Sequence, residues 1–275
     1  MDKRNPIGIF DSGVGGLSVL REIRALMPNE DVIYFGDQGH VPYGPRAMEQ
    51  IQSFSEGITR FLLAQHAKII VVACNTASAA ALTYLRQTFP DVQFVGMEPA
   101  VKPAAEKTQT GKVGVLATPA TFQGALYASV VGRFANGVEL FKNTCNGLVQ
   151  QVEQGNLDGA ETRRILEDAL HPMLEKDIDT VVLGCTHYPF VIPMIEEIVG
   201  EKVRVIDPAP AVAKQVKRLL EAGGMLNEQG GKLRFITSGE AQSAKSILKI
   251  LLGIESEVEV VPWKSDSKRE SNAPS

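Results

Sequence analysis

The chain repeats itself, and the repeat limits the folds open to it. The stretch "IGIFDS" (7–12) returns as "VGVLAT" (113–118), and "VVACNT" (71–76) returns as "VVLGCT" (181–186). After each pair a further apolar run ends alike, in "MEPA" (97–100) and "IDPA" (206–209). Apolar, β-branched runs fall at 6–10, 31–35, 68–73, 92–97, 112–117, 137–141, 179–183, 202–206 and 232–237. Amphipathic stretches lie between most of them, among them 16–27, 46–65, 76–88, 157–175 and 209–222. Runs apolar on both faces belong to strands covered on both sides, and their alternation with helices predicts an α/β protein with mainly parallel sheets. Two similar open parallel-sheet α/β domains, facing each other across a cleft, is the simplest arrangement that accounts for the repeat.

Bulk properties narrow the function classes. At 275 residues the chain can bury a sizeable core in two domains of ordinary size. With 44% hydrophobic and 22% charged residues it has the composition of a globular protein and not of a mainly disordered one. No apolar run reaches the roughly eighteen residues that span a bilayer. The N-terminal "MDKRNPIGIF" enters a strand directly, without a signal-peptide core. These features predict a cytoplasmic protein with no membrane partner. A net charge of −4 without a lysine or arginine cluster argues against nucleic acid as a partner. Three cysteines are too few, and odd in number, for a disulfide framework.

Two of those cysteines hold the same place in the repeat. Cys74 and Cys185 each follow an apolar strand and precede a helix. Open α/β sheets bind ligands at the carboxyl ends of their strands, so facing halves would set two thiols on opposite sides of one cleft. A cysteine at a helix start feels the positive end of the dipole, which favours thiolate and can bring titration to roughly 3.5–7.5 from about 8.5. Asn75, Thr76 and Thr186 can cap helices and donate hydrogen bonds to an anion. Two thiols on opposite faces of a small molecule suit inversion at an acidic carbon, one removing the proton and the other returning one from behind. Two plainer readings stand beside this one. A cysteine after a buried strand also serves as a small core residue. Cys74, Cys185, His187 and His40 could form a zinc site, although no C-x₂-C spacing is present. Cys145 has no counterpart in the repeat and reads as core packing. His187 reads either as a proton partner for Cys185 or as a structural neighbour.

"DSGVGGLS" (11–18) comes near a dinucleotide fingerprint, with Gly13 and Gly15 after a strand and Asp37 ending the next one. It departs by placing Ser18 where the third glycine belongs and Asp11 where its charge would face a pyrophosphate. Tight strand–helix packing and a site for a small carboxylate are the other readings. "HVPYGPR" (40–46) puts Pro42, Tyr43 and Gly44 in a loop. There the tyrosine either packs or walls a cleft, with its hydroxyl or a neighbouring N–H meeting the ligand. These motifs contain no lysine, and arginine only at the rim in Arg46. Carboxylates would then be met by backbone N–H groups and by Ser12, Asn75, Thr76 and Thr186.

Four motifs in order, "DSGVGGLSV", "VPYG", "CNTAS" and "GCTHYP", closely resemble those of the bacterial glutamate racemases, in the wider aspartate/glutamate racemase superfamily. The likeness runs from Ile7 to about Leu251. It implies an isomerase that interconverts L- and D-glutamate without cofactor or metal and supplies D-glutamate for peptidoglycan, acting as a homodimer. By motif position Cys74 and Cys185 match the two proton donors and acceptors. Asp11, Ser12, Tyr43, Gly44, Asn75, Thr76, Thr186 and His187 match the substrate-binding positions, and Asp11, His187 and Glu153 match helper acids. The resemblance also implies that the domains do not divide at the repeat boundary. The chain crosses near Glu98 and returns near Asp207, giving one domain of 1–97 plus 208–275 and a second of 98–207, with a disordered tail over 263–275. An aspartate racemase of the same superfamily, and a dicarboxylate-binding protein with inert cysteines, are the alternatives.

Overall fold

The computed structural model describes residues 2–261; the expected disordered tail lies outside them. In the first half β1 (Ile7–Asp11), α1 (Leu17–Leu26), β2 (Val32–Gly36), α2 (Met48–Ala64), β3 (Ile69–Val72), α3 (Asn75–Thr88) and β4 (Phe94–Gly96) alternate strand and helix. After α4 (Val101–Lys107) the pattern restarts with β5 (Lys112–Ala117), α5 (Pro119–Gln123), α6 (Ala125–Phe134) and β6 (Glu139–Asn143). It continues through α7 (Leu148–Glu153), α8 (Ala160–Leu174), β7 (Thr180–Gly184), a 3-10 turn over Tyr188–Val191, α9 (Ile192–Val199) and β8 (Arg204–Ile206). The chain closes with α10 (Ala209–Ala222), β9 (Leu233–Thr237), α11 (Ala241–Leu252) and β10 (Val258–Val260).

The strands form two sheets, ordered β10-β9-β2-β1-β3-β4 and β6-β5-β7-β8, and every pairing is parallel. Without β9 and β10 the two orders coincide. Registers coincide as well: Phe10 pairs with Phe35 and Val72 in one sheet, and Leu116 with Asn143 and Leu183 in the other. The repeat in the sequence is therefore a repeat of topology, and the expected pair of open parallel-sheet α/β units is what the chain forms. In each sheet the winding reverses between the first and third strands of the repeat, β1 and β3 or β5 and β7. That reversal opens a crevice at their carboxyl ends.

The glycine shared by "IGIF" and "VGVL" has a packing reason. A Cβ on Gly8 would stand 3.0 Å from Ala67 Cβ and 3.2 Å from Leu62 Cδ1, while one on Gly114 would stand 2.9 Å from Met173 Sδ. Each glycine lets the helix that precedes the cysteine-bearing strand, α2 or α8, lie close on its sheet. On the other face, α10 buries Ala209, Val212, Ala213, Val216 and Leu220 at helical spacing against α1. Some elements escape periodicity. Strand β10 has three residues, two of them exposed. The run at 137–141 is shifted to β6 at 139–143, an edge strand with no fully buried residue to mark its face.

At the amino ends of the first sheet Lys68 and Glu30 form a buried ion pair, Nζ to Oε2 2.6 Å. Lys68 Nζ also donates to the carbonyls of Lys3 (2.6 Å) and Met225 (2.9 Å), and Glu30 Oε1 accepts the N–H of Asn227 at 2.8 Å. The pair thus ties the N-terminus to β3 and to the connection between α10 and β9. Removing one partner strands a buried charge, so Lys68→Ala should lower the unfolding free energy by about 3–5 kcal/mol in urea titration. Joint replacement by Glu30→Leu and Lys68→Met should recover part of that loss. Equal destabilisation by the single and double variants would contradict this account. No helix among the described residues is long and apolar enough to cross a membrane.

Candidate active site

The carboxyl ends of β1, β3, β5 and β7 open onto one cavity of about 540 Å³. Nine of the expected catalytic and substrate-binding residues stand on its wall: Ser12, Tyr43, Gly44, Cys74, Asn75, Thr76, Cys185, Thr186 and His187. Asp11 and Glu153 lie behind the wall and reach it through hydrogen bonds. The two thiols arrive from equivalent positions, one after the third strand of each repeat.

Their surroundings differ. Cys74 caps α3, with its Sγ accepting the Ala77 N–H at 3.4 Å and donating to Ser12 Oγ at 3.7 Å. Burial pushes the Cys74 thiol well up, the charge of Asp11 adds to this, and the bonds from Ala77 and Ser12 pull the other way without prevailing. The expectation that a helix start would favour thiolate is thus opposed at Cys74, where burial and the charge of Asp11 push the thiol up. Cys185 Sγ instead lies 3.6 Å from His187 Nδ1, and His187 Nε2 lies 2.6 Å from Glu153 Oε1. Burial alone would depress the imidazole, but hydrogen bonds and charges from Cys185 and Glu153 outweigh it and hold His187 well above its ordinary value. Asp11, fully buried, is pushed up by burial, with the charge of His187 opposing. Its Oδ2 accepts the Gly13 N–H at 3.0 Å and its Oδ1 accepts the Thr186 hydroxyl at 3.4 Å.

The glycine turn of "DSGVGGLS" serves these contacts. A Cβ on Gly13 would fall 2.1 Å from Glu153 Oε1, and one on Gly15 would fall 2.4 Å from His187 Nδ1 and 2.6 Å from Thr186 Oγ1. The turn is bare so that side chains from the second sheet can seat in it. Glu153 Oε1 also accepts the Val14 N–H at 2.9 Å, and Ser18 Oγ lies 3.0 Å from the Thr186 carbonyl. The space a pyrophosphate would need is thus taken by protein. Asp37 is bonded to Tyr43, His40 and Ser238, which leaves the dinucleotide reading without support.

Asn75 lines the cavity with both amide atoms buried and without a hydrogen-bond partner among the described residues. A ligand that accepts from Nδ2 and donates to Oδ1 would satisfy it. Thr76 Oγ1 shares a hydrogen bond of 3.0 Å with Thr118 Oγ1. Tyr43 departs from one option the sequence left open, because its hydroxyl turns away from the cavity to Asp37 Oδ2 at 2.5 Å.

Sequence reasoning passed over Thr118, Thr144, Asn146 and Gln150 on the same wall. Thr118 had a signal, since it matches Ser12 in the repeat. Cys145, read as core packing, is buried but also borders the cavity, in a turn where its φ is 44°. Burial, and then the charge of Cys185, push its thiol up to about 12. His40 sends Nδ1 to Asp37 and stacks on Phe54. No group of three His, Cys, Asp or Glu side chains that could hold a metal ion occurs among the described residues.

Comparison with known proteins agrees with this layout. The family described as Asp/Glu/Hydantoin racemase matches residues 7–216. The glutamate racemase of Pseudomonas aeruginosa (strain UCBPP-PA14) is 51% identical over 248 residues, covering 90% of this chain and 94% of its own. The crystal structure of glutamate racemase from Francisella tularensis subsp. tularensis SCHU S4 in complex with D-glutamate superposes with a TM-score of 0.83 at 32% identity, covering 97% of this chain and 100% of its own. That of the Escherichia coli enzyme in complex with L-glutamate and the activator UDP-MurNAc-Ala gives 0.82 at 32% identity, covering 93% and 97%.

Proposed function

This chain belongs to the Asp/Glu/Hydantoin racemase family, and from that premise we propose that it interconverts L- and D-glutamate by proton transfer between Cys74 and Cys185. The observation that carries the reading is the placement of two thiols, from equivalent strand ends of two sheets, on the wall of one cavity. The relatives captured with D-glutamate and with L-glutamate support the choice of substrate.

One thiolate takes the α-proton, and the electron pair left on the α-carbon is delocalised into the adjacent carboxylate. The other thiol then delivers its proton to the opposite face, which inverts the centre. Cys74, its thiol pushed toward the protonated form by burial and by Asp11, suits the delivering role at the start of one direction. His187, held charged beside Cys185 by Glu153, suits a proton partner on the other side. Asp11 reaches the site through Gly13 and Thr186 and fits a helper role near Cys74. Substrate carboxylates are met by the unpaired Asn75 amide, by Ser12, Thr76 and Thr186, and by backbone N–H groups, with Gly44 and Tyr43 shaping the wall. A thiol pair of this kind needs neither metal nor cofactor for the proton transfers. The family resemblance extends the proposal to a cytoplasmic homodimer that supplies D-glutamate for peptidoglycan.

Solvent deuterium tests the reading. In D₂O, L-glutamate should give D-glutamate labelled at the α-carbon from the first turnover, while recovered L-glutamate stays mainly protiated early on. Label entering the recovered substrate as fast as the product would mean a single exchanging base. Aspartate turned over as well as glutamate would remove the substrate assignment.

A further inference from the structure

Asp37 directly follows β2, the strand beside β1, and is fully buried, yet it lies outside the cavity wall. Its carboxylate collects three side-chain contacts. Tyr43 OH donates to Oδ2 at 2.5 Å, Ser238 Oγ donates to Oδ1 at 2.5 Å, and His40 Nδ1 lies 2.8 Å from Oδ1. The Ser238 hydroxyl in turn accepts the Gly39 N–H at 2.9 Å, and Arg46 Nε donates to the His40 carbonyl at 2.6 Å. The loop carrying Pro42, Tyr43, Gly44 and Arg46 forms one side of the cavity, and no regular element of its own supports it. This cluster holds it, with Ser238 brought from the end of β9, 201 residues along the chain, and the ring of Phe54 adds contacts to His40, Tyr43 and Arg46.

We infer that Asp37 is a positioning residue for the substrate-binding loop, with Ser238 as its tether to the first sheet; the inference rests on the proposed racemase activity. A buried carboxylate accepting from three groups is fixed whether or not substrate is present, so the wall formed by Tyr43 and Gly44 is set in advance. Such preorganisation acts on binding geometry and not on the proton transfers themselves. The hydroxyl of Tyr43 is then an anchor for the loop.

The test is a separation of KM from kcat in folded variants, checked by circular dichroism and thermal melting. Asp37→Ala removes both acceptor oxygens and should raise KM for glutamate by about tenfold or more while kcat stays within about threefold. Asp37→Asn, which keeps one oxygen, should fall between wild type and Asp37→Ala. Tyr43→Phe should raise KM alone but add little in combination with Asp37→Ala, because both remove the same contact. Should Asp37→Ala not fold, Ser238→Ala and Tyr43→Phe carry the test. A KM within twofold of wild type in the folded variants would overturn the inference, as would a loss confined to kcat. Wild-type protein that neither binds nor racemises glutamate would overturn the functional reading as well, whereas unchanged variants of an active enzyme would overturn this inference alone.

Discussion

Alanine at either Cys74 or Cys185 should abolish inversion in both directions, by about 10⁴-fold, the upper end of what a positioned acid or base contributes. On the proposed mechanism each thiol is obligatory whichever enantiomer is supplied, because one removes the proton and the other replaces it. The remaining thiol keeps one half of the reaction. Each variant should therefore still exchange the α-hydrogen of one enantiomer with D₂O, and the two variants should choose opposite enantiomers. Cys145→Ala is the control. Its thiol borders the same cavity but has no partner in the repeat, and turnover should stay within about threefold of wild type, since no proton transfer depends on it. Inversion surviving in either Cys74→Ala or Cys185→Ala at more than a tenth of the wild-type rate would sink the two-thiol mechanism.

His187→Asn should lower kcat by about 10²-fold, and Glu153→Gln should act through pH. The imidazole is held charged by Cys185 and Glu153 against the pull of burial. Its folded pKa lies above the unfolded value of about 6.5. The stability this charge contributes is therefore fully present below that unfolded value and lost as pH rises through the raised folded one. Glu153→Gln keeps an oxygen for the Val14 N–H but removes the negative charge. The His187 titration seen by proton NMR should then shift to lower pH, with the alkaline fall of kcat shifting alongside it. The variant should be destabilised most on the acid side of the His187 titration and least above it. Superimposable pH profiles for wild type and Glu153→Gln would show that Glu153 does not hold the charge.

The paired sheets were legible because their signals are local. A strand buried on both faces is a short apolar run, and "VVACNT" and "VVLGCT" carry the cysteines with it. The thiols, Ser12, Asn75, Thr76 and Thr186 follow from their place at strand ends. What stayed hidden depends on contacts between distant segments. The partners of Asp37 lie on its own loop and at Ser238, and no periodicity links those positions. Glu153 sits in the unremarkable "QVEQG", and only the resemblance singled it out before the structure joined it to His187 and Val14. The upward push on the Cys74 thiol is hidden for the same reason. The helix start is written in the sequence, but the depth of burial that opposes it is not. The bareness of Gly13 and Gly15 had a visible signal with several readings, and the structure gives it another, room for Glu153, His187 and Thr186.

The unlike neighbours of the two thiols meet a constraint set by the substrate and not by the protein. Enantiomers have equal free energy in water, so the equilibrium constant of a racemisation is one. Cys74 has Ser12 beside it and the charge of Asp11 within reach, while Cys185 has His187 backed by Glu153. On the proposed mechanism a mirror-image reaction is thus carried out by machinery without mirror symmetry. The Haldane relation then fixes kcat/KM to be the same for both enantiomers, however different their two sides of the cavity are. Any advantage in kcat that the imidazolium side gives one enantiomer must be cancelled by that enantiomer's KM, so the chemical difference between the two walls can move kcat and KM only in step, and with them how full the site stands with each hand of the substrate.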